Sequence, residues 1–420
     1  MEKTVFLYDN PIYDMKKTRI IVSVLLIIAA LVSTGCCNKE IESRPAKYIF
    51  LFIGDGMGLD HITVTESYLS YKQDTLAGAR LTFTQFPNMA LCYTHSNNRM
   101  ITCSAAAATA IACGTKTDNE RIGTAPDGSK LKSIAYEFQE KGYKIGIMTN
   151  NPVNHATPAG FYAHNDSRYG YYEISRELAE SGFEFFGGSG FYQFKGRNGD
   201  LEPVGDYIEE KGYAVCYGPE EFKERSAEAD KIVFIQETGR EQDPEYYVSD
   251  GEEAEDVKIK EILDMSLEFL GEDEPFFIMC EGGNIDWAGH SNKTMAMVKE
   301  VIDFDDAVAR AMEFYYEHPD ETLIVVTADH ETGGVSIGQG EEWRPEFVNW
   351  ARLEQHWIDS GEKNILDKEE NRELNEECLI GWTSFHHTGS PVPLFAIGKG
   401  AEKFKGMIDN IDIKGKILGE

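Results

Sequence analysis

The amino-acid sequence predicts an α/β protein: a large, open, mostly parallel sheet sandwiched between helices, with a surface cap insertion. Three observations carry that expectation. Short runs of β-branched and aromatic residues alternate with helical stretches from Tyr48 onward. Most of these runs are apolar at every position, and three of them end abruptly in strings of Gly, Asp, Glu and His. A strand that is apolar on both faces needs cover on both faces, which the helices of parallel crossovers supply. The length of 420 residues, 42% of them hydrophobic and 27% charged, allows a large core and excludes disorder or a fibrous repeat.

The chain begins with an address. Met15-Lys16-Lys17 and Arg19 form a basic region ahead of Ile20 to Val32, a stretch apolar except for Ser23 and too short for a comfortable membrane span. Ser33-Thr34-Gly35-Cys36 then resembles a bacterial lipoprotein processing site, with Cys36 as the lipidated N-terminus. An ordinary signal peptide cleaved nearby is the alternative, and either reading exports the domain. The expected organisation is therefore a leader, lipobox and short linker over residues 1–46, starting at Met15, and a single domain over 47–420. The expected location is the periplasm or the cell surface, with a lipid anchor in the bacterial outer membrane.

Strands are expected at Tyr48 to Ile53, Met89 to Tyr93, Lys144 to Met148, Ile232 to Ile235, Phe276 to Cys280, Leu323 to Val326 and Leu394 to Ile397. Helices are expected at Leu131 to Lys141, Ile174 to Ser181, Val257 to Leu270 and Met295 to Tyr316. Two polar segments, Gly218 to Glu255 and Gly338 to Glu377, read as insertions or surface caps, the second extending to about residue 380. Within it, Asp367-Lys368-Glu369-Glu370 reads as a solvated helical face. Cysteines 92, 103, 113, 216, 280 and 378 contain no CxxC pair, so a cysteine zinc cluster is excluded; export permits disulfides, yet several of these thiols sit inside apolar runs.

Forty basic residues against 72 acidic ones give a net charge of −32. A field of that sign repels polyphosphate backbones, so no nucleic-acid partner is expected, and an anionic substrate would need locally concentrated cations. The chemistry is placed by topology: in an open α/β sheet the site lies beyond the carboxyl ends of the strands. After Ile53 comes Gly54-Asp55-Gly56-Met57-Gly58. After Cys280 comes Glu281-Gly282-Gly283-Asn284-Ile285-Asp286-Trp287-Ala288-Gly289-His290. After Val326 comes Thr327-Ala328-Asp329-His330-Glu331-Thr332-Gly333-Gly334. Asp, His and Glu gathered this way form the donor set for zinc with oxygen-preferring magnesium beside it. Asp286 and His290, four apart, share one face of a helical turn. Ser104 opens an alanine-rich run to Ala112 that ends near Gly114, so it should sit at a helix N-terminus, where backbone N–H groups favour an anion.

In the order and wording of these motifs the sequence resembles the alkaline phosphatase family across nearly all of Tyr48 to Gly400. The matching stretches are Asp55-Gly56-Met57-Gly58, Ser104-Ala105-Ala106 with Ala108-Thr109-Ala110, Ala156-Thr157-Pro158-Ala159, Asp286 with His290, Asp329 to Gly334, and His387-Thr388-Gly389. The resemblance implies two Zn2+ and one Mg2+ per chain. Asp286, His290 and His387 would bind the first zinc, and Asp55, Asp329 and His330 the second. Asp55, Thr157 and Glu281 would hold the magnesium. Ser104 would be the nucleophile that forms a phosphoserine, and Arg168 the guanidinium that grips the phosphoryl group. Small phosphate monoesters would be the substrates, and family members commonly pair as homodimers.

Three neighbours depart from the family pattern: Cys103 stands where aspartate usually precedes the nucleophile, His155 where many bacterial members have aspartate, and Trp287 where others have lysine or histidine. Magnesium is accordingly expected to be less securely held than zinc. Ser104 is expected to act in preference to Cys103, His386 to be structural, and His164, near Arg168, to have no ligand role. A related phosphodiesterase remains an alternative, as does a non-catalytic phosphate- or metal-binding lipoprotein. The sulfatase pattern is missing, because Cys103-Ser104-Ala105-Ala106 has neither the proline nor the arginine it requires.

Overall fold

The computed structural model describes residues 44–241, 257–338, 347–361 and 368–420; the leader, Cys36 and Asp367 lie outside them. Fourteen strands are formed among the described residues. In chain order they are β1 (Tyr48–Gly54), β2 (Asn88–Tyr93), β3 (Lys144–Thr149), β4 (Phe185–Gly188), β5 (Ala214–Tyr217), β6 (Ile232–Ile235), β7 (Phe276–Gly282) and β8 (Thr322–Thr327). There follow β9 (Glu331–Thr332), β10 (Val335–Ile337), β11 (Ile380–Trp382), β12 (His387–Thr388), β13 (Val392–Gly398) and β14 (Gly406–Asp409). Ten of them build one sheet in the order β14-β2-β13-β8-β1-β7-β3-β4-β6-β5. Every pairing in it is parallel except those of β13, which runs against β8 and β2.

All seven runs singled out in the sequence are strands of this sheet. The centre is the most apolar part: every residue of β1, β7 and β8 is buried, as a parallel sheet covered on both faces requires. Phe50, Phe276 and Phe314 meet edge-on at 5.3 to 5.5 Å, each buried ring contributing on the order of 2–3 kcal/mol through area removed from water. Helices α1 (Leu59–Lys72), α2 (Ser104–Cys113), α3 (Ile259–Leu270), α4 (Asn284–His290) and α5 (Thr294–Glu317) carry or support the strand-end loops. Helices α1 and α3 both pack on the long α5, whereas α2 packs on the C-terminal helix Asp412–Leu418 and on Ile134–Glu140.

One expectation is corrected. The polar segment Gly218 to Glu255, interrupted by one strand, was expected to be an insertion or surface cap; in its described part, which ends at residue 241, that strand, β6, lies inside the main sheet, between β4 and β5, and Gly218–Arg225 packs on the edge strand β5. The polarity there belongs to an outer helix, while Ile232 to Ile235 are all buried. The later polar segment contributes two amphipathic helices, Trp350–Asp359 and Lys368–Glu377. The first docks on α1 through buried Trp350, whose ring meets that of Tyr68 at 5.4 Å, and through Glu354, which accepts from Tyr68 Oη and Lys72 Nζ.

Register decides what the strand ends can do. Gly54 pairs with Gly282, and Ile53 with both Glu281 and Thr327, so β1, β7 and β8 terminate level with one another. Three loops rich in donor atoms therefore leave the sheet side by side.

Candidate active site

The ends of β1, β7 and β8 bring Asp55, Glu281 and Asp329 into one pocket. Asp55 is fixed by its backbone N–H, which donates to Gly282 O at 3.1 Å, and Gly56 N donates to Asp329 Oδ1 at 3.1 Å. Gly56 has φ +72°, and a Cβ there would come within 3.0 Å of Asp286 Oδ1, so this turn needs a residue without a side chain. On the first turn of α4, Asp286 points back toward the same place, and His290 one turn later stands with Nε2 3.4 Å from Asp286 Oδ2. His387 arrives on β12, which pairs antiparallel with β9 directly after His330.

These side chains converge as three groups: Asp286 with His290 and His387; Asp55 with Asp329 and His330; Asp55 with His155 and Glu281. In each group the ligand atoms lie within 4.8 Å of one another. The histidines are oriented from behind. His290 Nδ1 is 2.7 Å from Phe385 O, His387 Nδ1 is 2.9 Å from Thr102 O, and His330 Nδ1 is 3.2 Å from Thr332 Oγ1. With each Nδ1 donating to an oxygen, the Nε2 lone pairs are left facing the carboxylates, the tautomer a metal ligand needs. His290 and His387 bring their Nε2 atoms to 3.1 Å from each other, and His330 Nε2 lies 3.3 Å from Asp329 Oδ2 and 3.4 Å from Asp55 Oδ1.

The electrostatics match. Burial, aided by Asp329, Asp286 and Glu281, pushes the Asp55 carboxyl well above its ordinary range against the pull of Arg168. Burial likewise pushes Glu281 and Asp329 up to about 7, and holds His330 and His155 well below the ordinary histidine value. Both Asp55 oxygens, Asp329 Oδ2, Glu281 Oε1 and Thr157 Oγ1 are buried without a hydrogen-bond partner. Crowded carboxylates and neutral imidazoles with orphaned donor atoms are costly unless cations join them, so the residues present fit bound metal ions.

Ser104 is the first residue of α2, where Cys103 takes the N-cap position with no side-chain cap. Its hydroxyl is free of capping duty and lies 3.2 Å from His330 Nε2, at the edge of the Asp55–Asp329–His330 group. The helix behind it is buried at all ten positions and ends on Gly114 in the left-handed conformation, as the alanine run predicts. Arg168 also faces the pocket, close enough to Asp55 for its charge to be felt there. Its backbone N–H donates to Glu120 O at 2.7 Å, and its guanidinium NH2 is 2.9 Å from His155 Nε2.

This geometry was met in sequence by a match that decides the family. The alkaline phosphatase family profile fits residues 46–184 and 241–418. The chain belongs to the alkaline phosphatase family. Alkaline phosphatase 4 of Bacillus subtilis is 29% identical over 95% of this chain and 95% of its own length. Among solved structures, the alkaline phosphatase of the Antarctic bacterium TAB5 superposes with a TM-score of 0.71 at 31% identity, covering 89% of this chain and 98% of that one. The cold-active alkaline phosphatase of Shewanella sp. gives 0.74 at 27% identity, with 88% and 98% covered. A form of the Antarctic enzyme in which one histidine is replaced by glutamate has Mg bound in its M3 site. As an alkaline phosphatase this chain is a metal-dependent phosphoric monoester hydrolase.

All ten residues expected at the site, Asp55, Ser104, Thr157, Arg168, Glu281, Asp286, His290, Asp329, His330 and His387, lie in or around this pocket. Sequence reasoning treated His155 only as a neighbour of the magnesium ligands, whereas the structure aims it at Asp55 and Glu281. It also gave no role to Thr332 and Glu331, each of which has one partner far away in sequence, Asp286 and Thr388 respectively. His164 has both ring nitrogens occupied, by Glu177 and by Leu131 O, and so plays a structural part.

Proposed function

We propose that the chain hydrolyses phosphate monoesters through a phosphoserine on Ser104, with two Zn2+ and one Mg2+ at the three convergent groups. Asp286, His290 and His387 would hold one zinc, Asp55, Asp329 and His330 the other, and Asp55, Thr157 and Glu281 the magnesium. When bound, zinc supplies Lewis-acid stabilisation of the serine alkoxide and of the departing alkoxide. The observation that carries the reading is the Ser104 hydroxyl, uncapped at the start of a buried helix and 3.2 Å from His330 Nε2.

In this reading Ser104 Oγ forms a bond to phosphorus as the bond to the alcohol oxygen breaks, and the alcohol leaves. Water then cleaves the Ser104 ester, releasing inorganic phosphate and restoring the hydroxyl. The backbone N–H groups of the first α2 turn and the Arg168 guanidinium hold the non-bridging oxygens, and that guanidinium keeps its charge at alkaline pH. His155, neutral through burial, accepts from Arg168 and so orients the fork. Such a focused positive pocket overrides the chain's diffuse negative field at short range. His155 in place of a carboxylate leaves magnesium more loosely held than zinc.

The same reading places the enzyme outside the cytoplasm on a lipid at Cys36, supported by the basic and apolar leader. The deciding experiment is hydrolysis of p-nitrophenyl phosphate from about pH 7 to 10 with the metal content of each sample measured, beside bis-p-nitrophenyl phosphate, Ser104→Ala and Cys103→Ala. Monoester turnover abolished by EDTA and by Ser104→Ala alone supports the mechanism. An inert, fully zinc-loaded parent, or a preference for the diester, refutes it.

A further inference from the structure

Thr332 lies between the two groups read as zinc sites and touches one ligand of each. Its hydroxyl donates to Asp286 Oδ1, a ligand of the outer group, and sits 3.2 Å from Nδ1 of His330, a ligand of the inner group. A hydroxyl has a single hydrogen. With that hydrogen committed to a carboxylate, which can only accept, the remaining contact requires His330 Nδ1–H to donate to Thr332 Oγ1. One side chain thereby fixes the Asp286 carboxyl and the His330 tautomer together, leaving His330 Nε2 to face Asp55, Asp329 and Ser104.

The residue is fully buried and held from several sides. Thr332 N donates to Gly56 O at 3.0 Å, joining it to the Asp55 turn. A Cβ at Gly56 would come within 2.8 Å of Thr332 Oγ1, and one at Gly289, next to His290, within 3.1 Å of Thr332 Cγ2. Across the β9–β12 pair Thr332 stands opposite His387. The preceding residue, Glu331, clamps that pair: its carboxylate accepts from Gly334 N at 2.8 Å and from Thr388 Oγ1, and its Cγ fills the space where a Cβ on Gly58 would fall, at 2.2 Å.

We propose that Thr332 is a positioning residue that couples the two zinc groups, so that loosening one ligand set loosens the other. The inference rests on the reading that both groups hold zinc. Hydrogen-bond partners behind metal ligands commonly govern metal affinity by ten- to a hundred-fold, and here one partner serves both sites.

The test measures zinc release from the holoenzyme into a chromogenic chelator, with the zinc content of each sample counted, for the parent, Thr332→Val, Thr332→Ser and Thr332→Ala. Valine keeps the shape and removes both hydrogen bonds; serine keeps the hydroxyl. The expected result is release of both zinc ions about ten- to a hundred-fold faster from the valine variant, with the serine variant near the parent. Serine and alanine, both smaller than threonine, differ from each other by the hydroxyl alone, and so report on it even if valine prevents folding. Two zinc ions released at the parent's rate from the valine or alanine variant overturns the coupling and leaves the phosphatase reading standing. Acceleration at only one site, or a serine variant as leaky as alanine, also overturns it. A parent that holds no stoichiometric zinc refutes the two-zinc reading and this inference together.

Discussion

The two groups of ligands at the heart of the site differ in how they meet water. In the inner group the side chains of Asp55, Asp329 and His330 are 0% exposed. In the outer group Asp286 is nearly as buried, at 6%, but His387 is 14% and His290 34% exposed. The inner group grows out of loops anchored directly to the ends of β1 and β8, whereas the outer one is assembled from a short helix and a two-residue strand. Ser104 accompanies the inner group and the open side accompanies the outer one. Under the proposed mechanism, activation of Ser104 would therefore belong to the buried centre of the sheet, and departure of a leaving group and entry of water to the side where solvent already reaches.

The largest expected effect tests whether chemistry belongs to the inner side. Ser104→Ala should lower kcat by at least about a thousand-fold while the chain keeps its zinc, checked by turnover beside metal analysis. Next comes the contrast between the groups: His330→Ala should cost at least about ten-fold more activity than His290→Ala, because water can replace a side chain that is one-third exposed more readily than one sealed in the interior. Equal losses would break the comparison. Arg168→Lys keeps the charge but removes the fork; KM and the inhibition constant of inorganic phosphate should both rise about ten-fold, with the pH profile unchanged in position. Under a chelator the outer metal should leave several-fold faster than the inner one, giving two phases in release, and a single phase would show that exposure does not rank the sites.

The smallest effect uses a buried carboxylate outside the site. Asp303 is pushed up to about 7 chiefly by burial, much as Asp329 is, but among the described residues it belongs to no group of convergent ligand atoms. Its folded value lies above the unfolded 3.8, so the fold favours the protonated form, and the stability this gives is lost as pH rises from about 4 to about 7. Asp303→Asn should therefore unfold later than the parent at pH 8 and match it near pH 4. The gain should be on the order of 1 kcal/mol, below the roughly 4 kcal/mol that three pKa units would convert to, because the amide is itself a buried polar group. Urea unfolding of metal-loaded samples at both pH values checks it.

The expectations from sequence were sharpest where a signal is local. Apolar runs marked the seven longest-read strands within two residues, and the alanine run marked α2 from Ser104 to the residue before Gly114. Among the strands of the main sheet β4, β5 and β14 escaped: unlike the equally short but wholly apolar β6, the first closes on Gly187-Gly188, the second is buried only at its two central residues, and the last opens on exposed Gly406-Met407. The polar helix Gly218–Arg225 disguised its neighbour β6 as part of a surface insertion. His155 was singled out only as a neighbour that tunes magnesium, and Thr332 only as part of the Asp329 to Gly334 stretch, for a different cause: a histidine beside Ala-Thr-Pro and a threonine beside Gly-Gly carry no sign of their contacts until the atoms facing them are known.

The sequence by itself determined the layered α/β class, the strand-end location of the chemistry and the chemical types of the ligands, because each is written in a few consecutive residues whose periodicity and turn chemistry act locally. Only the tertiary structure decided how closely these side chains converge, which nitrogen of each histidine faces inward, and which group is sealed from water. Those properties depend on the level register of β1, β7 and β8 and on contacts between residues as far apart as Thr102 and His387. Such contacts are set by packing of the whole sheet, and no stretch of chain short enough to carry a motif contains both partners.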